Sequence, residues 1–302
     1  MRSLTILRLL ALVLLLPCAG MAQAFLPGKS EGSASINFTT IHAAGHFLDD
    51  GSRLPGYASR ANSLTFGLDY GLTERLAVGV SIPYIRAKYL GPEEPLNLPR
   101  NVLDDGVYHG TMQDFRVEAR FNALRLPIVT TPFVALSVPS HGYDTIAESA
   151  VGANVKQLTT GVYAGRLLNP LLPRTFVHGS YSYTAVEKIL GVSLNRSNID
   201  FSVGQFITPS LSASFLWRRQ WVHGGLTYEQ IYDPTANPDV FIQQDRLSRQ
   251  DFQHVGFGVG YSLNESFSLD FSFVKFVSGR AAHFGEGIST GINWSFSTEK
   301  SQ

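Results

Sequence analysis

The sequence lacks most of what holds exported or metal-binding domains together. Its one cysteine, Cys18, lies in a leader-like segment. The chain beyond it has no thiol, which excludes disulfides, cysteine-ligated metals and thiol catalysis there. Lys plus Arg and Asp plus Glu both number 24, so the basic excess of a nucleic-acid binder is missing. Beyond the leader no stretch approaches the roughly 18 apolar residues of a membrane-spanning helix. No Pro-, Gly- or Ser-rich linker divides the chain and no tract is of low complexity, which predicts one domain.

What is present begins with Arg2 and Arg8, the apolar run Leu9 to Leu16, and Ala22-Gln23-Ala24. A basic start, a short apolar stretch and an A-x-A site predict a secretory signal peptide over 1–24, cut before Phe25. The run is too short for a membrane anchor. Leu15-Leu16-Pro17-Cys18 is a poor lipoprotein signal, because a proline precedes the cysteine.

Beyond the leader the governing pattern is alternation. In Leu64 to Tyr70, Leu64, Phe66, Leu68 and Tyr70 alternate with Thr65, Gly67 and Asp69; in Leu76 to Tyr84, Leu76, Val78, Val80, Ile82 and Tyr84 alternate with small residues. A period of two with a short polar break is a β-hairpin. One face is apolar and ends in tyrosines, and the other is too small and polar for a core. That inversion marks a membrane β-barrel. The rhythm recurs over about 33–46, 61–71, 76–89, 110–122, 132–140, 155–167, 175–185, 196–207, 211–222, 250–262, 267–277 and 284–296, an even set of about twelve strands. Most approach or exceed the roughly 9–11 residues a tilted crossing needs. Short connections such as Leu72–Arg75, Thr208–Ser210 and Asn264–Ser266 alternate with long ones: Phe47–Arg60, Leu90–His109, His141–Asn154, Val186–Asn195 and His223–Arg249. Short periplasmic turns and long outer loops put both termini in the periplasm. The predicted fold is therefore all-β, a single antiparallel transmembrane barrel over 25–302. A secreted β-sandwich would also alternate, but its polar face would be rich in Lys and Glu.

Candidate lumen-lining residues follow from the phase. Asp114, Arg116, Glu118 and Arg120 oppose Phe115, Val117, Ala119 and Phe121, and Asp69, Asp200, Arg218 and Asp270 fall on the same inner side of other strands. Charges there could form a solute-selecting pore, or pair to fill a narrow lumen. His46, His109, His141, His223, His254 and His283 collect at outer strand ends without tight metal-ligand spacing, so no metal or cofactor is expected. Glu93, Glu94, Asp104 and Asp105 make one loop acidic, and Tyr228, Tyr232 and Phe241 make another aromatic, able to lie on lipopolysaccharide or fold inward.

Three resemblances add to this reading. Ser289 to Phe296, with Gly291, Trp294 and Phe296, looks like the C-terminal signal by which the barrel-assembly machinery recognises outer-membrane proteins, although six residues follow it. Tyr70 to Leu76 with Ile82-Pro83-Tyr84, then Asp114-Phe115-Arg116 and Ser137-Val138-Pro139 with Gly142-Tyr143-Asp144, resembles a family of outer-membrane transporter-like proteins named after the meta-pathway of phenol degradation. It implies passive passage of a small aromatic or apolar solute in the outer membrane of a Gram-negative bacterium, and carries over no catalytic residues. His178-Gly179-Ser180 is similar in spacing to the His and Ser of outer-membrane lipid hydrolases, but Tyr181-Ser182 stands where those enzymes have Asn-Gly or Asn-Ala. The expectation is a non-enzymatic channel that contacts outer-membrane lipid and lipopolysaccharide, against a closed structural or loop-binding barrel and a less favoured hydrolase.

Overall fold

In a computed structural model, residues 23–90, 103–146, 149–233, 235 and 237–299 are described. Most of the leader, 1–22, and the acidic pair Glu93 and Glu94 lie outside them. The strands are β1 (Glu31–Phe47), β2 (Arg53–Thr73), β3 (Leu76–Leu90), β4 (His109–Met112), β5 (Phe115–Phe121), β6 (Val129–Val138), β7 (Gln157–Leu167), β8 (Thr175–Val186), β9 (Leu194–Phe206), β10 (Leu211–Gly224), β11 (Asp251–Ser262), β12 (Phe267–Arg280) and β13 (Ala282–Ser297). Neighbours pair antiparallel, β1 also pairs with β13, and β2 with β3, so the sheet closes on itself. Both β4 and β5 pair with β3 and share one place in the wall, which makes a closed twelve-stranded barrel. Closure is what a membrane demands, because lipid offers no partner to a free strand edge.

The alternation sorts the side chains as the sequence implies. Phe66, Leu68, Tyr84, Val117, Leu136, Phe201, Phe215, Phe257 and Trp294 stand exposed on the outer wall. Thr159, Thr184, Ser202, Ser212 and Ser214 are buried on the inner one.

Three expectations are corrected. The stretch 110–122 is two strands, not one. Tyr84 faces Met112 but Ser81 faces Arg116, so the register gains a residue across Gln113 and Asp114. Pro83 stands opposite this break and has no N–H to give to the ladder. The extra residue flips the phase: Met112 shares the outward face of Tyr84, whereas Arg116 points inward. Second, Phe47–Arg60 is not a long loop. β2 begins at Arg53, and the connection is a tight turn closed by Leu48 N–H to Ser52 O at 2.9 Å. Pro55 pairs with Gly45 of β1, at the irregular end of that ladder, and among the described residues β3 joins β2 from Ala58 onward. Third, β12 runs three residues past 277 and meets β13 across Ala281 alone, at φ 43°.

Both mouths are furnished. Below, the segment before β1 turns into the barrel. Ala24 is fully buried against Phe133 and Tyr163, and its carbonyl accepts from the Thr131 hydroxyl at 2.7 Å. Above, the connection after β10 forms three short helices, α1 (Tyr228–Ile231), α2 (Pro238–Ile242) and α3 (Gln244–Leu247). Leu247 is fully buried in a small apolar core with Val155, Val186, Ile189, Leu194 and Val222.

Candidate functional site in the barrel lumen

The inward charges gather in clusters that strand register dictates. On one arc of the wall β5 carries Arg116, Glu118 and Arg120 at every second position, on the inner face. Arg120 is almost fully buried and reaches Asp69 of β2, with Nε 3.6 Å from Glu118 Oε1. Arg116 Nη2 donates to Glu118 Oε2 at 2.6 Å, and the Tyr163 hydroxyl of β7 donates to the same carboxylate at 3.3 Å. The residue between Asp69 and Glu118 across the sheet is Gly79, whose missing side chain leaves room for the pair.

A second cluster lies on β8 to β11. Asp200 faces both Ser180 and Arg218 across the ladder. It accepts the Ser180 hydroxyl at 3.0 Å and pairs with the Arg218 guanidinium. His254 is the next residue along from Arg218. Asp270 stands apart from both, accepting from Asn293 Nδ2 at 3.1 Å. Asp114, in the register break, accepts from the Tyr143 hydroxyl of the 139–156 loop. Burial of Tyr143 and this bond hold its phenol above the usual tyrosine range. The structure thus brings Asp69, Arg116, Glu118 and Arg120 together, and Asp200 with Arg218, while Asp114 and Asp270 have neutral partners.

Part of the inner wall is apolar, which alternation alone does not reveal. Val274 of β12 and Ile41 of β1 flank Gly287, and Leu216 of β10 faces Gly256. A Cβ on Gly287 would lie 3.1 Å from Val274 and 3.6 Å from Ile41, which puts all three on one face. Phe252, Phe276 and His254 cluster nearby, with Phe276 5.4 Å from each of the other two rings. Phe133 stacks on Tyr163 at 4.4 Å and lies against Gly161, where a Cβ would come within 2.6 Å of the ring; Phe176 covers Gly204 in the same way. The signal was available for Phe133 and Phe176: each is paired across the ladder with a glycine, a close approach that only glycine allows.

Trp294 is outward and stacks with Phe267 at 6.5 Å, Phe296 adjoins it at 5.2 Å, and Gly291 makes room for Asn37 and Asp270. His46 and His283 meet edge to face at 4.3 Å, His109 contacts Asp105 at 2.9 Å, His141 contacts Thr111 at 3.0 Å and His223 contacts Ser197 at 2.7 Å. Among the described residues no three His, Cys, Asp or Glu side chains form a metal-holding group. In the helical loop, Tyr228 and Tyr232 stack at 4.2 Å and stay exposed; the buried residues are Ile231 and Leu247.

A closed antiparallel barrel with an apolar outer wall, small and charged inner positions and both ends of the sheet on one side is an outer-membrane β-barrel, and its place is the outer membrane of a Gram-negative cell. The comparisons agree on the fold. An outer-membrane channel of Pseudomonas putida F1 superposes with a TM-score of 0.69 at 12% identity, over 91% of this chain and 98% of that one. The NanC porin gives 0.50 at 9% identity, over 86% and 98%. The translocator domain of the autotransporter NalP from Neisseria meningitidis gives 0.50 at 10%, over 92% and 91%. No family model and no curated protein matches the sequence.

Proposed function

We propose that the chain is a passive outer-membrane channel for a small solute with an aromatic or apolar body, in the transporter-like family named after the phenol meta-pathway. The observation that carries this is the divided lumen. Paired charges and hydroxyls occupy part of the inner wall, and Ile41, Leu216, Val274, Phe252 and Phe276 form an apolar patch on β1 and β10 to β12, beside Arg218 and Asp270 of the same strands. A wall of this kind offers an apolar body a dry surface while water and polar groups run along the charged side. The eight lumen candidates, Asp69, Asp114, Arg116, Glu118, Arg120, Asp200, Arg218 and Asp270, would line the polar side, with no residue acting as catalyst. The leader 1–24 would be removed before Phe25, and Gly291, Trp294 and Phe296 would guide insertion by the barrel-assembly machinery.

A second reading has its own observation. Leu247 anchors a cap over the outer mouth, as a closed structural or loop-binding barrel would require. The hydrolase reading has no such support, since the Ser180 hydroxyl is given to Asp200 and not to His178.

Single-channel conductance of the refolded mature chain in a planar bilayer separates the two. A steady conductance whose ion selectivity shifts when Arg116 and Arg120 are changed to Gln supports the channel. Silence across the accessible voltage range supports the closed barrel. A Ser180→Ala change that abolished a measured phospholipase activity would revive the third.

A further inference from the structure

The outer wall carries a group of cations that the lumen does not use. On β3 the outward face reads Leu76, Val78, Val80, Ile82, Tyr84, Arg86, Lys88, and on β2 it reads Tyr70, Leu68, Phe66, Leu64, Asn62, Arg60. Register sets Arg60 directly opposite Lys88 and Asn62 opposite Arg86. Like charges so placed repel and destabilise a bare ladder. Arg86 and Lys88 both lie over the ring of Tyr108, at 5.0 and 4.9 Å. Arg86 also faces Gly110 of β4, which adds no side chain to cover it. Among the described residues, none of the three cations forms an ion pair. Beyond Arg60, register continues the row to His42, then Glu286, then Lys275; the carboxylate is two strands from Arg60, next to its own lysine.

The height of the group identifies its surroundings. At about 3.3 Å per residue and a tilt near 40°, the step from Leu76 to Tyr84 climbs about 20 Å through the membrane. Arg86 then lies about 25 Å above Leu76 and Lys88 about 30 Å, against an apolar band roughly 25 Å tall. The cations therefore stand at the upper edge of the apolar band, in the headgroup layer of the outer leaflet, with Tyr84 as the aromatic step below. Their side chains project from the wall into the lipid layer and not into the barrel.

We infer that Arg60, Arg86 and Lys88 form a binding site for a phosphate of an outer-leaflet lipid, the phosphorylated lipid A of lipopolysaccharide. One phosphate between opposed Arg60 and Lys88 turns their repulsion into two charge-assisted contacts. The acyl chains below then run along Leu64, Phe66, Val80 and Ile82, and Tyr84 marks the boundary. The inference needs only the barrel and its orientation, and stands whether or not the lumen conducts.

The test is native mass spectrometry of the full mature barrel in detergent, titrated with bisphosphorylated lipid A. A near-surface cation is worth about a factor of five toward an anionic lipid, so Arg60→Gln, Arg86→Gln and Lys88→Gln together should weaken the lipid A adduct on the order of 100-fold. Arg116→Gln with Arg120→Gln, inside the lumen, should leave it unchanged. If the outer triple variant does not fold, the unaltered protein still decides the matter, because lipid A stripped of its phosphates should bind at least tenfold more weakly. Equal binding of the stripped lipid overturns the site. So does an equal loss in the lumen variant, or displacement of the adduct by millimolar inorganic phosphate, which would mark a free-anion site.

Discussion

Arg120 offers the sharpest test of the lumen energetics. Its side chain is only 5% exposed and serves two carboxylates, Asp69 and Glu118. Removing one partner of a buried pair costs about 3–5 kcal/mol when the other charge is left uncompensated. Here the loss is smaller, because Glu118 keeps Arg116 at 2.6 Å and the Tyr163 hydroxyl. Only Asp69 is orphaned, and its side chain is 41% exposed to the lumen. The expected cost of Arg120→Gln is therefore about 2 kcal/mol. Adding Asp69→Asn should recover about 1 kcal/mol, since the stranded charge goes with it. Arg120→Lys should fall between, because a single ammonium does not span both carboxylates as the guanidinium fork does. The assay is urea unfolding of the barrel in lipid vesicles, followed by the fluorescence of Trp217, Trp221 and Trp294. Stability of Arg120→Gln within about 0.5 kcal/mol of the parent, or a double variant weaker than the single, would refute the reasoning.

Leu247→Ala empties the small core over the outer mouth, at a local cost of about 2–5 kcal/mol; protease should then cut within 225–250 faster than in the parent, while the strands survive. Tyr143 should remain protonated through about pH 11, where an ordinary tyrosine has lost most of its protons. Burial and the bond to Asp114 hold its pKa up, so Tyr143→Phe should leave the 295 nm titration unchanged below that pH. Ala281 occupies the left-handed region at φ 43° in the tight β12–β13 turn; Ala281→Val should destabilise by about 1–2 kcal/mol and Ala281→Gly by less than about 0.5 kcal/mol in the same urea assay.

The barrel was legible because lipid and lumen impose opposite chemistry on alternate residues. Leu64 to Tyr84 alone declared both faces. What escaped was phase. Gln113 and Asp114 break a strand that looks continuous, and the clue was Pro83 on the neighbouring strand, far away in sequence. Arg53 to Arg60 reads as a loop because Pro55 and Gly56 are turn residues, yet Pro55 pairs with Gly45 of β1 beside the irregularity in that ladder. Alternation alone picks out the charged lumen residues, but only register matches Arg120 to Asp69. The apolar arc stayed hidden because a leucine or phenylalanine on the inner phase looks like an irregularity until its glycine partner across the ladder is found.

Those glycine partners have a consequence for how such a barrel changes its bore. Strand number and shear fix the backbone cylinder, and inside it Phe133 and Phe176 lie against Gly161 and Gly204 as a lining about one ring thick, roughly 3.5 Å at van der Waals contact. Exchanging a ring for a smaller side chain widens the passage and leaves every strand where it was. Placing a side chain on the glycine tips the ring toward the axis and narrows it. The diameter is thus adjustable one position at a time, through a removable lining on a fixed tube, and relatives with the same cylinder are free to admit molecules of quite different girth.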